Sequence, residues 1–203
     1  MKKKKGRAIP IITLLAAFMC IGWADDWEGL KAASGDLTSV SAEFVQEKHM
    51  KILLRPLVSR GAFKFQSPGS LRWEYQTPVR SILLMHNGKT KRYFQGDEGM
   101  IEDSGAHLQS MQIVLQEITR FLSGRFDDNP LFDASIEPER KIVLTPKEAS
   151  FSKMIQRIEL FLSDRPGLIK SVTIYESKDS FTKLMFRNAV LNRKIANPLF
   201  MDK

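Results

Sequence analysis

The sequence has little cysteine, glycine and proline, and each shortage excludes a class of protein. It contains one cysteine, Cys20, in 203 residues, so a disulfide-stapled scaffold is excluded. Its 12 glycines and 9 prolines are too few for a collagen-like or low-complexity chain. With 43% hydrophobic and 27% charged residues it can bury an ordinary core, and its length fits one domain or at most two small ones.

The sequence also lacks the motifs that carry catalysis. His49, His86 and His107 are not spaced with one another or with carboxylates as a metal site requires. There is neither a Gly-x-Ser-x-Gly elbow nor a glycine-rich phosphate loop. The adjacent acidic pairs fall in turn-like or terminal stretches, where solvated caps are more common than an acid–base dyad. We therefore expect a protein that is not an enzyme and that uses no cofactor and no metal.

The formal charge of +8 is concentrated at the N-terminus, where five of the 31 Lys and Arg lie within the first seven residues. An uncharged apolar run follows as far as Ile21, and Gly22 and Ala24 then occupy the −3 and −1 positions of a signal-peptidase site. We predict that residues 1–24 are a cleaved signal peptide. Residues 25–203 are then a single domain in the periplasm of a Gram-negative bacterium or outside the cell.

The N-terminus has two other possible interpretations besides cleavage. The apolar run could remain as a membrane anchor, but it is short for a bilayer core that needs about 20 residues. Cys20 could be acylated, but Phe18 and Met19 precede it where a lipoprotein signal has a small residue. Without residues 1–24, 26 basic residues face 23 acidic ones, a net charge of +3. That surplus is too small to indicate a nucleic-acid partner for an exported chain.

The hydrophobic pattern after residue 25 predicts many strands and few helices. A helix is expected near Trp27 and Leu30, and a second, amphipathic one at 107–123, ending at Gly124. Pro-Gly and Asn-Gly turns separate several of the strands. Alternating apolar and polar residues indicate strands at 40–47, 58–66, 71–76, 80–86, 90–95, 141–145, 154–162, 168–176 and 182–188.

Strands in this number predict a mainly β (α+β) fold with a single curved antiparallel sheet. Twist accumulates along such a sheet and curls it toward a barrel or half-barrel, and the two helices are suited to cover its concave face. Phe63, Phe65, Leu71, Trp73 and the helix containing Met111 then form either an ordinary core or the lining of an apolar cavity. A cavity of this kind would bind lipid in water.

Short segments along the whole chain match one family in their order and spacing. They include Ala42-Glu43-Phe44-Val45-Gln46-Glu47-Lys48, residues 61–65, Pro68-Gly69-Ser70-Leu71-Arg72-Trp73-Glu74-Tyr75, residues 87–89, 143–147, 167–169 and 174–176, and Phe186-Arg187-Asn188. On these segments the sequence resembles the periplasmic outer-membrane lipoprotein carriers of the LolA family. The resemblance implies an incomplete β-barrel in which lid helices cover an apolar cavity for lipoprotein acyl chains, without cofactor or covalent chemistry.

The resemblance also implies site residues and partners. By match to the family motif, Trp73 lines the cavity. The resemblance further implies that an inner-membrane releasing ABC transporter complex supplies the cargo and that an outer-membrane receptor accepts it. The best-known carriers have an arginine that holds the lid closed where this chain has Ser67. Arg72, which strand alternation places on the face opposite Trp73, is a candidate lid or partner contact. The candidate lipid-binding residues are Phe63, Phe65, Leu71, Trp73, Tyr75, Met111, Val114, Leu115 and Ile118.

Two further functions are compatible with the same fold. The protein could carry lipids or lipid-linked products in the cell envelope instead of lipoproteins. A lipid-sensing regulator of envelope stress uses a related half-barrel, but it normally needs an additional domain. We therefore expect a monomeric carrier of acylated lipoproteins or lipids that does not bind nucleic acid.

Overall fold

The computed structural model describes residues 27–103, 109–125 and 129–201, with the backbone alone at 109–111. The signal peptide predicted at 1–24 and the predicted start of the second helix at 107–108 lie outside the described residues. The helices are α1 (Trp27–Gly35), α2 (Gln109–Leu122) and α3 (Ala149–Ser152), and a 3₁₀ turn covers Asn197–Phe200. The strands are β1 (Ser39–His49), β2 (Leu57–Gln66), β3 (Ser70–Thr77), β4 (Ser81–His86), β5 (Lys89–Gly96), β6 (Gly99–Glu102), β7 (Phe132–Glu137), β8 (Lys141–Pro146), β9 (Arg157–Leu162), β10 (Ile169–Ser177) and β11 (Ser180–Leu191).

All eleven strands form one antiparallel sheet in the order β6-β5-β4-β3-β2-β1-β11-β10-β9-β8-β7. Each half of the chain is a meander of sequential hairpins, and the pairing of β1 with β11 joins the halves, from Val40 opposite Leu191 to His49 opposite Phe181. β6 and β7 are the two edges, so the sheet is open and not closed into a barrel. The predicted single antiparallel sheet with few helices is confirmed.

One face of the sheet is apolar from β4 through the central strands to β7, and we call it the concave face. Strand alternation places Phe63 opposite both Ala42 and Trp73 on this face, and the β1–β11 register places Phe44 opposite Phe186. Gly61 leaves room for the Phe44 ring, because a Cβ at this position would lie 2.6 Å from its Cζ. Buried residues of α1, α2 and the strands join here in one continuous core.

The opposite, convex face is largely polar but has a small apolar cluster on β4 and β5. Ile82, Leu84 and Tyr93 are buried there, and the 3₁₀ turn at Asn197–Phe200 lies against β3 and β4. Phe200 at its end is fully buried. The chain after β11 therefore returns across the sheet and covers part of the convex face.

Four elements were not predicted from the sequence, namely β6, β7, α3 and the 3₁₀ turn at Asn197–Phe200. β6 and α3 have four residues each, too few to show a hydrophobic period. β7 buries Phe132, but its intervening Asp133, Ser135 and Glu137 resemble a loop composition. β9 begins at Arg157, three residues later than expected, because α3 and its C-cap precede it. Among the described helices, none is long and apolar enough to cross a bilayer.

Candidate functional site

The structure brings the predicted cavity residues together between α2 and the concave face. From the strands, Phe63, Phe65, Leu71 and Trp73 are buried. From α2, Val114, Leu115 and Ile118 pack in the same cluster, and Tyr75 lies half-buried at its border. Met111 lies on α2, but its side chain is outside the described residues. Binding of lipid by these residues remains a prediction, since they contact one another here.

Aromatic rings form the floor of this region. The Phe44 ring stacks on Trp73 with centroids 4.2 Å apart, and Phe63 meets Trp73 edge-on at 5.6 Å. Phe186 approaches Trp73 from β11 at 6.0 Å. The Tyr75 hydroxyl donates to Gln46 Oε1 at 2.7 Å, and burial raises the pKa of Tyr75 to about 12. These aromatic side chains are therefore uncharged at any physiological pH, as contact with hydrocarbon requires.

A wholly apolar cleft lies on one side of α2, and we call it the β11 cleft. Its empty volume is about 300 Å³, and two predicted residues, Phe63 and Ile118, line it. The other lining residues are Val40, Ala42, Leu122, Leu168, Ile169, Phe186 and Ala189. Hydrophobic walls without a polar group can hold a hydrocarbon chain but give no specificity for a headgroup.

A second cleft, the β8 cleft, lies on the other side of α2 and has an empty volume of about 290 Å³. Its lining is apolar at Ile142, Leu144 and Leu160 and polar at Glu117, Arg120, Arg125 and Asn129. Glu117 is buried and accepts a hydrogen bond from Asn129 Nδ2. Burial raises the pKa of Glu117, although Asn129 and Arg120 oppose the shift. This cleft can therefore hold an apolar group with a polar end.

The C-terminal end of α2 is held against both α1 and the β2–β3 turn. Ser123 Oγ donates to the Pro68 carbonyl at 3.3 Å. Gly124 ends the helix at a φ of +68°, where a Cβ would come within 3.2 Å of the Lys31 carbonyl oxygen of α1. Ser67, at the position of the family's arginine, donates its amide to the Thr38 carbonyl at 3.0 Å. The Ser123 bond and apolar packing thus hold this end of the helix without an arginine at 67.

Arg72 lies on the convex face, as strand alternation predicts, and forms an ion pair there. Its Nη2 lies 2.9 Å from Glu74 Oε2, and its Nη1 donates to the Leu199 carbonyl at 3.1 Å. Arg80 Nη2 binds the other oxygen of Glu74 at 3.0 Å. Burial opposes ionisation of Glu74, but hydrogen bonds from Arg72 and Arg80 outweigh it and lower its pKa. The lid or partner contact proposed for Arg72 stays a prediction.

The sequence interpretation missed most residues that line the two clefts. Val40, Ala42, Phe186 and Ala189 come from β1 and β11, and Leu160 comes from β9. The alternation of these strands was visible, and it identified their apolar faces. The position of these residues beside α2 could not be predicted from the sequence, because it depends on the pairing of β1 with β11 across the chain.

Comparisons with solved structures give distant likenesses. A DUF1329 family protein from Desulfovibrio piger has a TM-score of 0.49 at 10% identity, over 86% of this chain and 95% of that one. MucB, in its complex with MucA from Pseudomonas aeruginosa, has a TM-score of 0.48 at 17% identity, and the match covers 88% of this chain but only 60% of MucB. A LolA superfamily protein from Nitrosomonas europaea has a TM-score of 0.44 at 9% identity, over 86% of this chain and 94% of that one.

The family of the chain is identified by comparison with protein families and not by comparison with individual proteins. No curated protein sequence matches the chain significantly. The family described as "Outer membrane lipoprotein carrier protein LolA" matches residues 35–202, which covers both meanders of the sheet, α2 and the 3₁₀ turn. The chain therefore belongs to the LolA family of outer membrane lipoprotein carrier proteins.

Proposed function

We propose that the protein is a periplasmic carrier that takes the acyl chains of lipoproteins between α2 and the concave face and moves them from the inner to the outer membrane. The observation that carries this proposal is the apolar space on both sides of α2, formed by the β11 and β8 clefts over a continuous apolar sheet. The family of the chain supports lipoproteins as the cargo.

Cargo binding requires α2 to move away from the sheet. Neither cleft is a closed cavity for an acyl chain, since its empty volume of about 300 Å³ or less includes space open to solvent, and Leu115 and Ile118 fill the space between the two clefts. Burial of an acyl chain contributes about 0.8 kcal/mol per CH₂, which offsets the loss of the α2 contacts. Release follows the reverse exchange, in which α2 packs again on the face that the cargo leaves.

The proposal includes no covalent step, cofactor or metal. An inner-membrane releasing ABC transporter complex supplies the acylated lipoprotein, and an outer-membrane receptor accepts it. Export follows from the predicted signal peptide at 1–24. The mass of the protein recovered from the periplasm measures the cleavage directly, since cleavage after Ala24 removes a fixed segment.

A second candidate function is transport of free lipids or lipid-linked products of the envelope. The β8 cleft favours it, because Glu117, Arg120 and Asn129 in its lining can bind a polar end next to apolar residues. Native mass spectrometry of the periplasmic protein separates the two functions. A bound acylated polypeptide supports the lipoprotein carrier, bound free lipid supports the second function, and a protein without any apolar ligand contradicts both.

The β11 cleft is tested by filling it. We expect Ala189→Trp to place an indole in the cleft and remove most of the ligand-bound species from the native mass spectrum, because the indole occupies apolar space that the acyl chain would fill. Val190→Trp is the matched control, because Val190 is the next residue on β11 and is exposed. Equal ligand occupancy in the two variants would exclude the β11 cleft as the binding site.

A further inference from the structure

The β1–β2 loop, residues 50–56, presents aliphatic side chains to solvent. Ile52 and Leu54 are 86% and 106% exposed, and Leu57 at the start of β2 is 54% exposed. Leu53 and Val58 are exposed as well, so five large hydrophobic residues are exposed within seven positions. Isolated exposed apolar residues are normal on a protein surface, whereas a contiguous group marks a surface that another body covers.

The loop stands on a paired hairpin, which keeps these side chains away from the core. β1 and β2 remain paired as far as Lys48 and Leu57. The His49 ring stacks on Phe181 of β11 with centroids 4.2 Å apart, and Lys51 Nζ lies 3.5 Å from Asp179 in the β10–β11 turn. The loop is therefore anchored to its neighbours and projects from one end of the sheet.

Basic residues flank the aliphatic tip. Between positions 47 and 60 Glu47 is the one acidic residue, and the basic residues are Lys48, Lys51, Arg55 and Arg60. In the neighbouring hairpin, Glu176 and Asp179 pair with Lys48 and Lys51. Arg55 and Arg60 add positive charge, which anionic lipid headgroups attract.

We propose that the β1–β2 loop docks the protein on an anionic lipid bilayer, with Ile52 and Leu54 entering the interface and basic side chains contacting the headgroups. Interfacial segments combine these groups, because apolar side chains are buried at the headgroup boundary while long basic side chains reach the phosphates. Hot spots of protein interfaces are instead enriched in Trp and Tyr and poor in Leu. The loop contains no aromatic residue, so its chemistry favours lipid over a protein groove.

Vesicle sedimentation tests the proposal. Protein that its expression host has exported and processed is mixed with vesicles of equal parts phosphatidylcholine and phosphatidylglycerol, or of phosphatidylcholine alone. We expect sedimentation with the anionic vesicles, less with the neutral ones, and a decrease as salt is added. The double variant Ile52→Ser/Leu54→Ser should bind the anionic vesicles at least about tenfold more weakly, because it removes the apolar contact.

The control is Val190→Ser/Met201→Ser, which removes two exposed apolar side chains away from the loop and should bind as the unchanged protein does. All variants share one N-terminus, so any contribution of residues 1–24 is common to them. The proposal is wrong if the unchanged protein does not sediment with anionic vesicles, or if the loop and control variants bind equally. Absence of sedimentation would indicate a protein partner for the loop. Native mass spectrometry of the loop variant separates failure of membrane docking from failure of the carrier function. Bound ligand should remain if only docking fails, whereas failure of the carrier function predicts its loss.

Discussion

Individual side chains of the convex face contribute to stability through charge, and Glu74 is the clearest case. Two guanidinium groups bind its carboxylate, one on each oxygen, at 2.9 and 3.0 Å. The lowered pKa means that the unfolded chain binds the proton more tightly than the folded one. Its contribution is therefore complete above the unfolded pKa of about 4.5 and is lost as the pH falls through the lower folded value.

We expect Glu74→Gln to lower the free energy of unfolding by about 2 kcal/mol at neutral pH, because the amide NH₂ group faces one of the two arginines. Denaturant unfolding at a series of pH values measures this difference, which should shrink below about pH 4.5 as the unchanged protein becomes protonated. Glu98→Gln, at an exposed turn, is the control and should change stability little at any pH. A difference for Glu74→Gln that is independent of pH would show that charge is not the cause.

Among the elements, α2 differs from the strands in how it is attached. β1 and β11 are joined to their neighbours by backbone hydrogen bonds along their length. α2 is held on the sheet mainly by apolar packing, together with the Ser123 bond to the Pro68 carbonyl and the bond from Asn129 to Glu117. An element attached by packing can open locally while the sheet stays folded, and opening of this kind is what cargo entry requires.

Hydrogen exchange of two leucine variants tests whether α2 opens by itself. Leu115 of α2 and Leu184 of β11 are both fully buried, and replacing either with Ala should cost about 2–5 kcal/mol. We expect Leu115→Ala to accelerate amide exchange in α2 and to leave β1, β2 and β11 nearly unchanged. Leu184→Ala should accelerate exchange throughout the sheet. If Leu115→Ala accelerates exchange in β1 as much as in α2, the helix does not open separately.

At the scale of the whole molecule, a single strand pairing joins the two halves. β1 has 11 residues and β11 has 12, and each would be a long unpaired edge without the other. Such edges expose a row of unpaired backbone groups and tend to aggregate. α2 also packs on both halves, since the β11 cleft combines residues of β1, β2, β10 and β11. We therefore expect the two meanders to unfold as one cooperative unit.

Fragment complementation measures this cooperativity. We expect fragments 25–105 and 106–203 to show no cooperative thermal transition when separate, because each lacks the partner of its longest edge. Mixed in equal amounts during refolding, they should recover a β-sheet circular dichroism spectrum and a single transition. A cooperative transition in either fragment alone would show that its meander folds independently.

The sequence by itself determined which side chains share a face, because the period of a strand is two residues and needs no distant partner. It placed Phe63, Phe65, Leu71 and Trp73 together, put Arg72 on the other side, and identified the amphipathic helix that covers them. Short elements such as β6 and α3 were missed, since four residues do not establish a period. The resemblance to a carrier family indicated the open sheet and the lid, and the family match agrees with it.

Only the tertiary structure decided how these faces are closed. The pairing of β1 with β11 joins residues about 150 positions apart, from Val40 opposite Leu191 onward, and no local pattern encodes it. That pairing brings Phe186 and Ala189 beside α2 and so forms the β11 cleft. It also anchors the β1–β2 loop with Ile52 and Leu54 exposed, although their apolar side chains alone would predict burial. Burial depends on which strands become neighbours, and that is a property of the whole chain.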